Sequence, residues 1–107
     1  DINGVNFIGS EIELDSKSIK NLAFELTKKD DNLVLVLAAK ESEKVTLTVA
    51  ISKSLVEQKG LHAGNIIREI SKEINGGGGG QAFFATAGGK NPSGIENALT
   101  KAADFLV

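Results

Sequence analysis

Leu33-Val34-Leu35-Val36-Leu37-Ala38-Ala39, a polar break, then Val45-Thr46-Leu47-Thr48-Val49-Ala50-Ile51: these two runs decide the fold. The first is apolar at every position, as a central strand covered on both faces must be. The second alternates, with Val45, Leu47, Val49 and Ile51 between Thr46, Thr48 and Ala50, so it is half buried. Lys40 to Lys44 is a polar turn between them. The pair is expected to be a hairpin at the centre of a sheet.

Working upstream, Val5, Phe7, Ile12 and Leu14 alternate loosely and predict a strand over 5–14, broken near Gly9 and Ser10. Asp15 or Ser16 is a good helix N-cap. Ile19, Leu22, Ala23 and Leu26 then recur at helical spacing on a helix that ends near Lys29, before the turn Asp30-Asp31-Asn32. Working downstream, Ser52 can cap a short helix over Lys53 to Lys59, stopped by Gly60. A second helix is expected from about Ala63 to Ile74, with Ile66, Ile67, Ile70 and Ile74 on one side and Asn75 and the glycines ending it. Gln81 to Ala87 predicts a strand and Gly88-Gly89 a turn. Pro92 or Ser93 then opens a last helix through Ile95, Ala98, Leu99, Ala102 and Leu106. The fold class is α/β in the broad sense (α+β): a mixed β-sheet packed with helices, in the order β-α-β-β-α-β-α.

Length and composition bound the function. The 107 residues suit one domain, residues 1–107, and a chain of this size buries roughly two thirds of its unfolded surface. It begins at Asp1, not Met, and is expected to be a fragment of a longer protein. The longest apolar run, Leu33 to Ala39, is too short to span a membrane, and no basic-then-apolar N-terminal segment signals secretion. There is no cysteine, so disulfides, thiolate nucleophiles and zinc–thiolate sites are excluded; this fits a reducing compartment. His62 is the one histidine, which excludes a multi-histidine metal cluster. The net charge of -2 argues against a non-specific coat on nucleic acid. The charge is uneven, however: residues 1–51 carry six lysines against nine acids, and residues 52–107 carry six basic residues against five acids. A polyanion contact is expected in the second half.

The glycines lie there too. Gly76-Gly77-Gly78-Gly79-Gly80 is followed by Gln81-Ala82-Phe83-Phe84-Ala85-Thr86-Ala87-Gly88-Gly89-Lys90. Poly-glycine is usually a flexible linker, but this tract sits inside the domain between a helix and a strand. Glycine there costs backbone entropy, which makes sense if something must approach the main chain closely. Bare N–H groups can also form a concave anion site. Two phosphate motifs fail letter by letter. G-x-G-x-x-G from Gly76 meets Gln81 at its last position, and G-x-x-x-x-G-K-[ST] ending at Asn91 meets Phe84 at its first. Neither a dinucleotide nor a nucleoside triphosphate is supported.

The glycine block, the short apolar strand and the closing Ala87-Gly88-Gly89 resemble the signature of the DHH-associated C-terminal domain. With Phe83-Phe84 and Lys90-Asn91-Pro92, the form is similar to that at the C-terminal end of bacterial alanyl-tRNA synthetases. His62-Ala63-Gly64 before Ile66-Ile67-Arg68-Glu69-Ile70, and the central hairpin, resemble the same family over nearly the whole chain. The resemblance implies a non-catalytic, cytoplasmic module that grips the elbow of L-shaped tRNA. Aminoacylation and editing would lie on other domains of the parent ligase, its protein partners. It implies no cofactor here; ATP, magnesium and an editing-domain zinc would belong to the parent. The implied RNA-binding residues are Gly76, Gly77, Gly78, Gly79, Gly80, Gln81, Gly88, Gly89 and Lys90. Gln81 stands where family members often carry a basic residue, which makes Lys90 the principal charged contact. Two other readings are an oligonucleotide-holding accessory domain of a DHH phosphoesterase or exonuclease, whose Asp-His-His signature is absent, and a dimerisation piece, compatible with homo-oligomerisation.

Other residues have plainer readings. Phe83 and Phe84, adjacent on a strand, are expected on opposite faces as core, so they cannot serve one stacking surface. The stretch also lacks the basic residue and glycine of the RNA-recognition-motif signature. His62 is expected to cap or pack at a helix start. Lys17, Lys20, Lys28 and Lys29 read as a solvated helix face, and Glu11, Glu13 and Asp15 as an exposed strand edge rather than catalytic acids.

Overall fold

The structure is a computed structural model that describes residues 5–13, 16–41 and 44–105. The predicted central hairpin is there. β2 (Leu33–Glu41) pairs antiparallel with β3 (Lys44–Ile51), Leu37 opposite Thr48. β1 (Asn6–Ile12) lies parallel to β2 at one edge, so the chain must cross over between them. The crossover is helix α1 (Ser16–Lys29). Leu14, Asp15 and Leu106, invoked above for the first strand, the first cap and the last helix, lie outside the described residues.

After β3 come α2 (Lys53–Lys59) and α3 (Ala63–Ile70). The helix expected to run to Ile74 tightens to 3-10 over Ser71–Ile74 and ends on Asn75 in the left-handed region, φ 53. Two further strands follow, β4 (Gly77–Gly80) and β5 (Phe84–Gly89); a 3-10 turn over Pro92–Gly94 then leads into α4 (Ile95–Asp104). Among the described residues the strands form one mixed sheet in the order β1-β2-β3-β5-β4.

The sheet is covered unequally. On one face α3 and α4 bury Ile66, Ile67, Ile70 and Ala98 against Val36, Leu47, Val49, Ala85 and Ala87. On the other, α1 sets Ile19 and Ala23 on Leu33, Leu35 and Leu37. That helix lies over β2 and β3. On its side of the sheet Thr86, Gly88, Gly77 and Gly79 are left exposed.

Ser52 does start α2, but its hydroxyl makes no cap. It is buried instead, accepting the Leu33 N–H at 3.1 Å and donating to the Asp30 carbonyl. A buried polar group must find partners, and the turn after α1 supplies nearer ones than the helix does.

Candidate nucleic-acid interface

The glycine tract is not a loop. Gly77–Gly80 is extended and pairs antiparallel with β5: Gly77 opposite Gly88, Gly78 opposite Ala87, Gly79 opposite Thr86, Gly80 opposite Ala85. Among the described residues the left-handed region holds only Gly60 and Asn75, so these glycines build no concave nest of N–H groups. The sequence expectation of an unpaired tract whose N–H groups could form such a nest is therefore corrected. The predicted strand start at Gln81 also moves to Phe84. Gly88-Gly89 ends that strand instead of turning.

The reason for glycine differs along the tract. A Cβ on Gly76 would lie 2.0 Å from the Gly88 carbonyl oxygen, on Gly78 2.2 Å from that of Thr86, and on Gly80 2.5 Å from that of Phe84. These three positions must be bare because β5 is too close. A Cβ on Gly77 or Gly79 would meet nothing within 4 Å. These two lie on the α1 face, opposite Gly88 and Thr86, and are exposed. Gly89 is closed by its own neighbour, since its Cβ would fall 2.4 Å from the Ile74 carbonyl oxygen. The close approach inferred from sequence exists, but at alternate residues it is an approach of protein to protein.

The His62-Ala63-Gly64 motif anchors the far end of β4. The Ala63 N–H donates to the Ala82 carbonyl at 2.8 Å, and the Gly64 N–H to the Gln81 carbonyl at 3.1 Å. The His62 imidazole Nδ1 accepts the Asn65 N–H at 3.2 Å, the capping role expected of it. Gly64 must be glycine here because a Cβ would sit 2.9 Å from the Gly80 carbonyl oxygen. Helix α3 thus spends its first free N–H groups on holding the glycine strand in place.

The structure brings Gly76–Gly80 beside Gly88 and Gly89 but separates the two polar candidates. Gln81 follows β4 at the Ala85 end of the ladder and its N–H closes on the Phe84 carbonyl at 2.8 Å. Lys90 follows β5 at the other end, exposed, with its N–H on the Ile74 carbonyl at 2.9 Å. They stand about six residue rises apart along the ladder, on the order of 20 Å, so they cannot serve one phosphate.

The sequence announces α1 as a helix but not its side chains at this site. Phe24 stacks on Phe84 with centroids 4.9 Å apart and planes at 26°. Lys20 reaches over the Phe24 ring, Nζ 6.0 Å from its centroid. Together with Gly79, Gly80, Gln81 and Phe83 they line a crevice of about 320 Å³. Phe83 and Phe84 therefore share one cleft, contrary to the expectation of opposite faces. Phe83 precedes the strand, on a bend, where alternation does not apply. The lysines of α1 are all exposed, as expected, but they do not share one face. Lys29 pairs with Glu25 at 3.5 Å, while Lys17, Lys20, Phe24 and Lys28 follow at helical spacing along one side. An aromatic four residues from a lysine was the available signal. Glu11 and Glu13 are exposed at the edge strand β1, as expected.

The Asn6 side-chain amide, and then the Asn32 N–H, hold Asp30 below the usual carboxylate range. Among the described residues no three His, Cys, Asp or Glu side chains gather as metal ligands. None of the described helices is long and apolar enough to cross a membrane.

The DHHA1 domain profile matches residues 4–107. The alanine–tRNA ligase of Christiangramia forsetii is 52% identical over 105 residues, 98% of this chain and 12% of the ligase. That of Bacteroides fragilis is 44% identical over 106 residues, again 98% of this chain and 12% of the ligase. The chain thus spans about 12% of the length of these curated relatives. In the solved crystal structure of the C-Ala domain from Aquifex aeolicus alanyl-tRNA synthetase the fold superposes with a TM-score of 0.87. The sequences are 27% identical, covering 99% of this chain and 95% of that one.

Proposed function

The chain belongs to the DHHA1 domain family, and on that premise we propose that it is the C-terminal tRNA-binding module of an alanyl-tRNA synthetase. The relatives named above are alanine–tRNA ligases, which favours this reading over a phosphoesterase accessory domain. In it the chain performs no chemistry. It grips the elbow of folded tRNA while other domains of a cytoplasmic ligase, with their ATP, magnesium and editing zinc, aminoacylate and edit.

One observation carries the reading: the bare shelf of Gly77, Gly79, Thr86 and Gly88 at the rim of the sheet. Nothing longer than a threonine stands on it, so a ribose–phosphate backbone can reach the main chain. Such contacts follow RNA shape more than sequence. Lys20 at one side and Lys90 at one end supply positive charge.

Binding to intact tRNA, single-stranded RNA of equal length and duplex DNA tests it. Folded tRNA is expected to bind tightest, and equal affinity for the single strand would count against the elbow. Gly79→Val fills the shelf without touching β5 and should abolish binding in a folded protein. Lys90→Ala should weaken it by on the order of 1 kcal/mol. Unchanged tRNA binding by a folded Gly79→Val would place the RNA seat elsewhere.

A further inference from the structure

Beyond the shelf, a larger open crevice of about 680 Å³ runs between α1 and the start of α2, and Phe24 and Phe83 line both. We propose that this crevice takes one unstacked nucleobase of the bound RNA, its flanking phosphates meeting Lys28 and Lys53. The inference rests on the RNA-binding reading above and extends it from the main chain to a base pocket.

Size, wall chemistry and charge point the same way. The volume falls within the range of small-ligand sites. The floor is the buried Ile51, and one wall is Phe24, 37% exposed although it is a large aromatic. Its ring is held in place by stacking on Phe84, so the aromatic wall is already ordered before a base arrives. Lys28 and Lys53 are exposed at the rim, opposed by Glu25 and Asp31. Glu25 is held by Lys29 at 3.5 Å, and Lys20 adds a third ammonium at the Phe24 ring. An apolar peptide would use the aromatic walls and leave the lysines unmatched. A free phosphate would use the lysines and leave the walls bare. A nucleotide uses both.

Two measurements test this independently. First, the 15N-labelled chain is titrated with millimolar uridine or guanosine 5′-monophosphate and, in parallel, inorganic phosphate. The nucleotides should shift the amides of the aromatic walls and floor, Phe24, Ile51 and Phe83, and phosphate should not. No shifts there, or the same shifts with phosphate, overturns the pocket. Second, tRNA affinity is measured for Phe24→Ala, Phe24→Tyr and the double variant Lys28→Gln/Lys53→Gln. Phe24→Ala should lose about ten-fold, and Phe24→Tyr, which keeps the stack, should restore it. The lysine variant touches no core and should lose several-fold even if Phe24→Ala misfolds. If these variants bind like the parent while Gly79→Val does not, the base pocket is wrong and the glycine shelf stands. If no variant, nor the parent, binds tRNA, the functional reading fails, and the mononucleotide titration still decides the pocket.

Discussion

Gly78 and Gly79 are neighbours with opposite constraints. A methyl on Gly78 would sit 2.5 Å from the Ala87 Cα, whereas one on Gly79 would meet nothing. Gly78→Ala should therefore destabilise by about 1–3 kcal/mol, the usual range for overpacking. Gly79→Ala should be neutral or stabilising by about 0.4–1 kcal/mol, because it removes freedom from the unfolded chain. Urea melts of the two would settle it, and equal losses would refute the alternation. Asp30 supplies a pH-dependent counterpart. The bonds from Asn6 and Asn32 depress its pKa, so their stabilisation is complete above the unfolded carboxyl's pKa and is lost as pH falls through the folded one. Asp30→Asn should be less stable than the parent near neutrality. That gap should close below about pH 4. A gap of constant size from neutral to acid pH would show that the charge is not what holds the turn.

The elements differ in how plainly the sequence announces them. β2, β3 and α1 were legible because their apolar periods are long and unbroken, and the structure keeps their bounds to within about two residues. β4 was not, since glycine is among the residues most depleted in strands and gives no alternation to read. What makes it a strand is tertiary: the closeness of β5 and the α3 carbonyl partners at Gln81 and Ala82. The candidate site was half legible for the same reason. The glycines and Lys90 follow from a motif, whereas Phe24 and Lys20 join them only through packing some sixty residues away in sequence. His62 shows that a motif residue can be wholly structural. His62→Ala should cost about 1 kcal/mol by uncapping α3, and His62→Asn, itself a good cap, should recover most of it. If His62→Ala is as stable as the parent but loses tRNA, the histidine touches RNA instead.

For the whole molecule, charge sets how RNA can be held. With a net charge of -2 the chain can neutralise few phosphates, so the log–log dependence of tRNA affinity on salt should have a shallow slope, about -1 to -3. A slope near -6 would mean a basic surface that this sequence does not have. Shape recognition also predicts that tRNAs sharing one elbow bind alike, whatever their anticodon. The glycine strand has a last consequence, which concerns time. Glycine loses more backbone freedom on ordering than any other residue, and β4 has four of them in a row at the rim of the sheet. Opening free energies vary across a fold, and an edge strand of four glycines is expected at the low end. Its amide protons should exchange with solvent well ahead of those of β2 and β3. RNA seated on the shelf should slow that exchange, which would make β4 a clock for occupancy.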